Sequence, residues 1–305
     1  MKKKAIKAIE KKRTVTALLL SAVLAAACTV PAFADAAGTY VALGADLSAS
    51  QRATVLGLLD LTEEQLADMD VVQITNEMEK EMLGSYLPAS VIGSRALSCV
   101  RVEKKNSGGI DITTKNISYC TEGMYQNALI TAGIENADVI VAAPMNISGT
   151  AGLVGAMEAY QEITGDEISD ENQDAAVNEI VATGELADQI GSSENAENLM
   201  ALVKQDVVAN DLTSEDDILK AIDDGAAQIG LTLSDEEKDS ILSVMKKISS
   251  LDLDVDALKE QASGIYDRLK ELGVDMSSWD KDSVIDAITG FFSGIIDFFK
   301  GLFGA

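Results

Sequence analysis

From Thr39 to about Gly165 the chain alternates short apolar or β-branched runs with stretches of helical periodicity, and that alternation constrains its fold more than any other feature. Residues 39–44 (Thr-Tyr-Val-Ala-Leu-Gly) read as a strand. Ser48 then opens a helix with Gln51 as its capping-box partner, and Thr62 with Gln65 repeats the device. Val71-Val72-Gln73-Ile74 reads as a second strand, after which Thr75 caps a short acidic helix that stops at Gly84 and Pro88. Residues 95–105 and 109–120 are expected to pair across the turn Asn106-Ser107-Gly108-Gly109. Thr121 caps a helix to about Ala132 that Gly133 ends, and Val139 to Ala143 is a buried strand closed by Pro144. A helix from Thr150 to about Gly165 completes a mixed α/β domain over residues 39–165.

Past Asp166 the pattern changes. Acidic helices are expected near 170–190, 194–209, 214–229, 235–249 and 255–272, each opening near Ser, Thr or Asp. Apolar residues recur at helical spacing, as in Ile241, Val244, Met245 and Ile248. The fold class is therefore α+β: a mixed domain at 39–165, an all-α acidic helical domain at 166–275, and a terminal amphipathic helix at 280–305. That last segment holds five of the chain's six Phe. Phe291, Phe292, Ile295, Phe298, Phe299, Leu302 and Phe303 lie on one wide apolar arc, opposite Asp286, Ser293, Asp297 and Lys300. Such a helix either closes the helical core, docks a protein partner or a second copy, or lies on a membrane surface. Asp286 and Asp297 would each cost about 3 kcal/mol at a bilayer centre, which argues against a span.

The first 34 residues stand apart. A basic head (Lys2 to Arg13) precedes an apolar run from Thr14 to about Ala27, and Ala32-Phe33-Ala34 has the small-x-small form cut by signal peptidase. Cleavage after Ala34 is expected over lipidation at Cys28, because Ala25-Ala26-Ala27 lacks the larger aliphatic residue of a lipobox. Without this segment of seven bases and one acid, the net charge goes from −26 to −32. A body so acidic repels nucleic acid and anionic lipid and stays soluble outside the cell; a basic partner or divalent cations are the sharper reading.

Composition also removes chemistries. The chain has no histidine, which excludes Ser-His-Asp and Cys-His catalysis and His-ligated zinc. Cys99 and Cys120 lie past the leader, where a disulfide would contribute about 3 kcal/mol. An antiparallel hairpin would instead set Cys99 opposite residue 115 or 116, so both states stay open. Gly149, Gly152 and Gly155 follow a buried strand; no Lys-Ser/Thr comes after them, so they read as close helix packing on the sheet and not as a phosphate loop. Asp252, Asp254 and Asp256 alternate like a calcium loop, but Ala257 and Ser263 stand where Gly and Glu are needed. No cofactor or metal site is assigned.

Several stretches together resemble the YpuA-like extracellular proteins of Firmicutes, a family with a domain of unknown function. They are Val41 to Leu47 with Gln51-Arg52, Gly93-Ser94-Arg95-Ala96, Asn116-Ile117-Ser118, Asn127 to Gly133, Val139 to Pro144 and Ser148-Gly149-Thr150-Ala151. The likeness covers about 40–165 and, more weakly, reaches about 270. It implies export and carries over no catalytic residue. It also makes host immunoglobulin a candidate partner, since some gut-bacterial relatives are associated with binding it. The expected function is that of a secreted, non-catalytic binding or cell-envelope-associated protein. The alternatives are an immunoglobulin-binding protein and a hydrolase working with two carboxylates, which needs no histidine.

Overall fold

The computed structural model describes residues 38–69, 71–255, 257, 258 and 261. In chain order the elements are β1 (Thr39–Gly44), α1 (Ala49–Leu58), α2 (Glu63–Leu66), β2 (Val71–Ile74), α3 (Asn76–Leu83), α4 (Ala89–Ile92), β3 (Cys99–Lys104), β4 (Ile110–Ile117), α5 (Glu122–Thr131), β5 (Ala137–Ile147), α6 (Thr150–Thr164), α7 (Asp170–Ile190), α8 (Ser193–Ala209), α9 (Glu215–Gln228) and α10 (Asp235–Ile248). The α+β class stands, and local chemistry sets most boundaries. Ser48 with Gln51, Thr62 with Gln65 and Ser234 with Glu237 form complete capping boxes. The hydroxyls of Thr75, Thr121, Ser169, Ser192 and Ser214 each accept a backbone N–H in the first turn of their helices.

The five strands form one sheet in the order β2-β1-β3-β5-β4. β1 is parallel to β2 and antiparallel to β3; β5 is antiparallel to β3 and parallel to β4. Four strands thus run one way and β3 the other.

The expected hairpin between 95–105 and 109–120 is not formed, because β5 lies between β3 and β4. Its entry occupies the gap: Lys105 N–H donates to Asn136 O, Gly109 N–H to Asn136 Oδ1 and Ala137 N–H back to Gly109 O. The physical reason is burial. Residues 139–143 are buried on both faces of β5, which suits an interior strand paired on both edges. In β4 most residues are half-buried or exposed, Asp111 among the exposed, which suits an edge. β5 also runs past Pro144, which has no N–H to give a ladder. The β4–β5 register breaks there between Lys115 and Ile117; Asn116 sits at φ 62° and its Nδ2 donates to Ala143 O.

Side-chain alternation along the strands divides the core. Val41, Leu43, Cys99, Ile140 and Ala142 face α1 and α2 and pack with Val55, Leu56, Leu59 and Leu66. Ala42, Val100, Val102, Val139 and Val141 face α6 and its neighbours, in one apolar cluster that continues through α5 into α7–α10. The close-packing role of the glycines holds. A Cβ on Gly152 would lie 2.5 Å from Val141 Cγ1, and one on Gly155 would lie 3.0 Å from Ala42 Cβ. Between helices, Lys204 of α8 and Glu179 of α7 form a fully buried ion pair at 3.0 Å. Lys204 Nζ also donates to Asn127 O at 2.8 Å and Thr131 Oγ1 at 3.2 Å, tying both helices to α5.

Candidate functional site

The strands that run together, β1, β2, β4 and β5, deliver their carboxyl ends to one edge of the sheet, where ligands of open α/β sheets are usually bound. A cleft of about 460 Å³ opens at this edge. Its walls are Ser118 after β4, Ser148 and Thr150 after β5, Glu79 on α3 after β2, the Gly93-Ser94-Arg95 turn after α4, and Ser98 before β3.

Each wall is held by identifiable bonds. Asp46 Oδ2 accepts from Ala96 N–H at 2.8 Å and Asp46 N–H donates to Ala96 O at 3.2 Å, fixing the 93–97 turn to the end of β1. Asn76 Nδ2 donates to Gly93 O at 3.4 Å and to Glu79 Oε2 at 3.2 Å. Thr150 Oγ1 donates to Glu79 Oε1 at 3.0 Å, pinning α3 to the start of α6. The Tyr125 hydroxyl, buried on α5, donates to Gly149 O at 2.6 Å. Gly149 itself lies at φ 96°, where a side chain would be strained and would strike Ile117 Cγ2 at 2.5 Å.

The electrostatics are mixed. Glu79 is 1% exposed, and burial, its largest influence, pushes its carboxyl above the usual range; the bonds from Asn76 and Thr150 pull the other way. Arg95 is exposed, and no ion pair reaches it among the described residues. Gly149, the N-cap of α6, supplies no side-chain cap, and the N–H groups of Thr150 and Ala151 meet no carbonyl among the described residues. The cleft can therefore donate several hydrogen bonds and one positive charge.

Both cysteines are buried free thiols. Cys99 belongs to the cluster under α1 and α2 and Cys120 to the one under α6; burial pushes each thiol up to about 12. Neither lines the cleft. No cluster of three potential metal ligands occurs among the described residues, and none of their helices is long and apolar enough to cross a membrane. The proposed docking residues Phe291, Phe292, Ile295, Phe298, Phe299, Leu302 and Phe303 lie outside the described residues, as do residues 1–34, the expected leader, with Cys28.

Reading for catalytic motifs misses this site, because Glu79, Ser98 and Thr150 form no motif along the chain. A signal did exist: Gly93-Ser94-Arg95, Ser118 and Ser148-Gly149-Thr150-Ala151, all within stretches that carry the family resemblance, converge on the cleft or its rim.

No solved structure matches the chain. It is 36% identical over 289 residues to "Uncharacterized protein YpuA" of Bacillus subtilis (strain 168), covering 93% of this chain and 98% of that relative. A family model described as "Protein of unknown function (DUF1002)" matches residues 43–265, which include every wall of the cleft and the helices packed behind it, and the chain belongs to that family.

Proposed function

We propose that the protein is an exported, non-catalytic binding protein whose ligand enters the cleft at the carboxyl edge of the sheet. The observation that carries this reading is the cleft's inventory. It gathers hydroxyls, unpaired first-turn N–H groups and Arg95, whereas the thiols lie elsewhere with their pKa values raised to about 12. A histidine-free chain offers no imidazole to activate a serine there. The basic-apolar leader ending at Ala34 supports work outside the cell.

The partner is a cell-envelope component or a host protein. Co-sedimentation of the chain beginning at Asp35 with isolated envelope material tests the first. Retention that falls in Arg95→Gln supports the proposal; equal recovery of both proteins in the supernatant removes that partner. Immunoglobulin is the host protein to test. Asp216 and Asp223, both exposed and seven residues apart on α9, give it a helix face to engage. Surface plasmon resonance against polyclonal antibody decides that point.

One feature favours a hydrolase instead: a buried carboxyl with a raised pKa, here Glu79, is suited to donate a proton. Turnover on a glycan panel that vanishes in Glu79→Gln would establish this second reading and displace the first.

A further inference from the structure

We propose that the cleft is an oxyanion site, in which a phosphate-class group sits on the first turn of α6 between Ser98 and Arg95. This deepens the binding reading above and rests on it. Three independent features converge. The first is α6 itself, 15 residues long and entered from Gly149 without a side-chain cap. Its Thr150 and Ala151 are 3% and 2% exposed, and their N–H groups have no protein acceptor among the described residues. Such N–H groups and the helix dipole together attract an anion.

The second is Ser98. The residue lines the same cleft, is 2% exposed, and makes no hydrogen bond through its hydroxyl among the described residues. Its hydroxyl is not among the side-chain atoms shut off from solvent without a partner, so it is open to a ligand oxygen in the cleft. Ser98 leads into β3, the one strand that runs against the others, so it lies at the same sheet edge as the ends of β4 and β5.

The third is Arg95, an exposed guanidinium on the lining, in a protein whose other described arginines are engaged. Arg52 pairs with Glu63, and Arg101 with Glu103 and with Leu59 O. Arg donates in a planar fork that matches phosphate oxygens. Two acids lie near: Glu79, whose oxygens are held by Asn76 and Thr150, and Asp46, whose Oδ2 is held by Ala96 N–H. Acidic neighbours on the wider surface predict weak capture of free ions, with affinity supplied inside the cleft.

The test uses the full chain and inorganic phosphate, with acetate as a planar comparison, followed by amide NMR and titration calorimetry. Phosphate is expected to shift the amides of residues 149–151 saturably at concentrations up to about 10 mM, more strongly than acetate. Arg95→Gln and Ser98→Ala, both small changes that leave the fold's contacts in place, are each expected to weaken binding about tenfold. The proposal is overturned if those amides do not move in the unaltered chain, or if both variants bind phosphate as it does. Acetate binding equal to phosphate would also overturn the phosphate class. Binding without turnover on any substrate leaves the non-catalytic reading standing, so its failure and that of the oxyanion site are read separately.

Discussion

Asp206 of α8 shows how one buried carboxyl couples this fold to pH. Burial raises its pKa from 3.8 to about 7, against the Asn210 Nδ2 bond at 2.7 Å and with Asp224 adding to the rise. A folded-state pKa above the unfolded value means the native state binds the proton more tightly. Its stability contribution is therefore full below pH 3.8 and lost as pH rises through about 7. Asp206→Asn keeps the bond from Asn210 and removes the titration. Urea denaturation between pH 4 and 8 is expected to show a shallower fall in stability than the unaltered protein, the difference reaching a few kcal/mol. The Lys204–Glu179 pair behaves differently. Desolvation pushes both groups toward their neutral forms, and each relies on the other's charge to oppose it. Lys204→Met should cost roughly 3–5 kcal/mol by stranding Glu179, and adding Glu179→Leu should recover much of that loss. A double-mutant cycle by thermal denaturation measures it.

At the scale of elements, α6 is positioned by what it lacks. Gly152→Ala places a Cβ 2.5 Å from Val141 Cγ1 and 2.7 Å from the Tyr125 hydroxyl, so α6 must lift from the sheet. A loss of about 1–3 kcal/mol is expected, with weakened phosphate binding because Gly149 and Thr150 move too. Gly57 in α1 is the control, since a Cβ there meets nothing within 4 Å. Gly57→Ala should stabilise by about 0.5–1 kcal/mol through helix propensity. Melting temperatures moving in opposite directions would confirm that packing, and not glycine as such, sets the role. Helix limits were the most legible part of the chain, because a Ser or Thr hydroxyl accepting an N–H three residues on is a local event.

Across the whole molecule, the sheet separates the two thiols. Cys99 and Cys120 occupy different core clusters, so a chain beginning at Asp35 should show two reactive thiols after unfolding without reductant and almost none while folded. A dye-based thiol assay with and without denaturant checks this. The same architecture explains which parts of the site were readable. Ser148-Gly149-Thr150-Ala151 stood out because glycines bunch at a strand-to-helix junction. Glu79 and Ser98 did not, because a Glu on an acidic helix and a Ser before a strand look ordinary until folding sets them beside α6.

Apart from the short helix α4, strand and helix identity, capping and the alternation of buried faces followed from the order of residues alone, since each depends on contacts a few positions apart. Strand order did not. Inserting β5 between β3 and β4 depends on which of several edges best buries a doubly apolar strand, a competition among segments 33 or more residues apart in the β3–β5 register. Only that tertiary choice brings the ends of β4 and β5 beside the start of β3, and with them the donors that make a cleft.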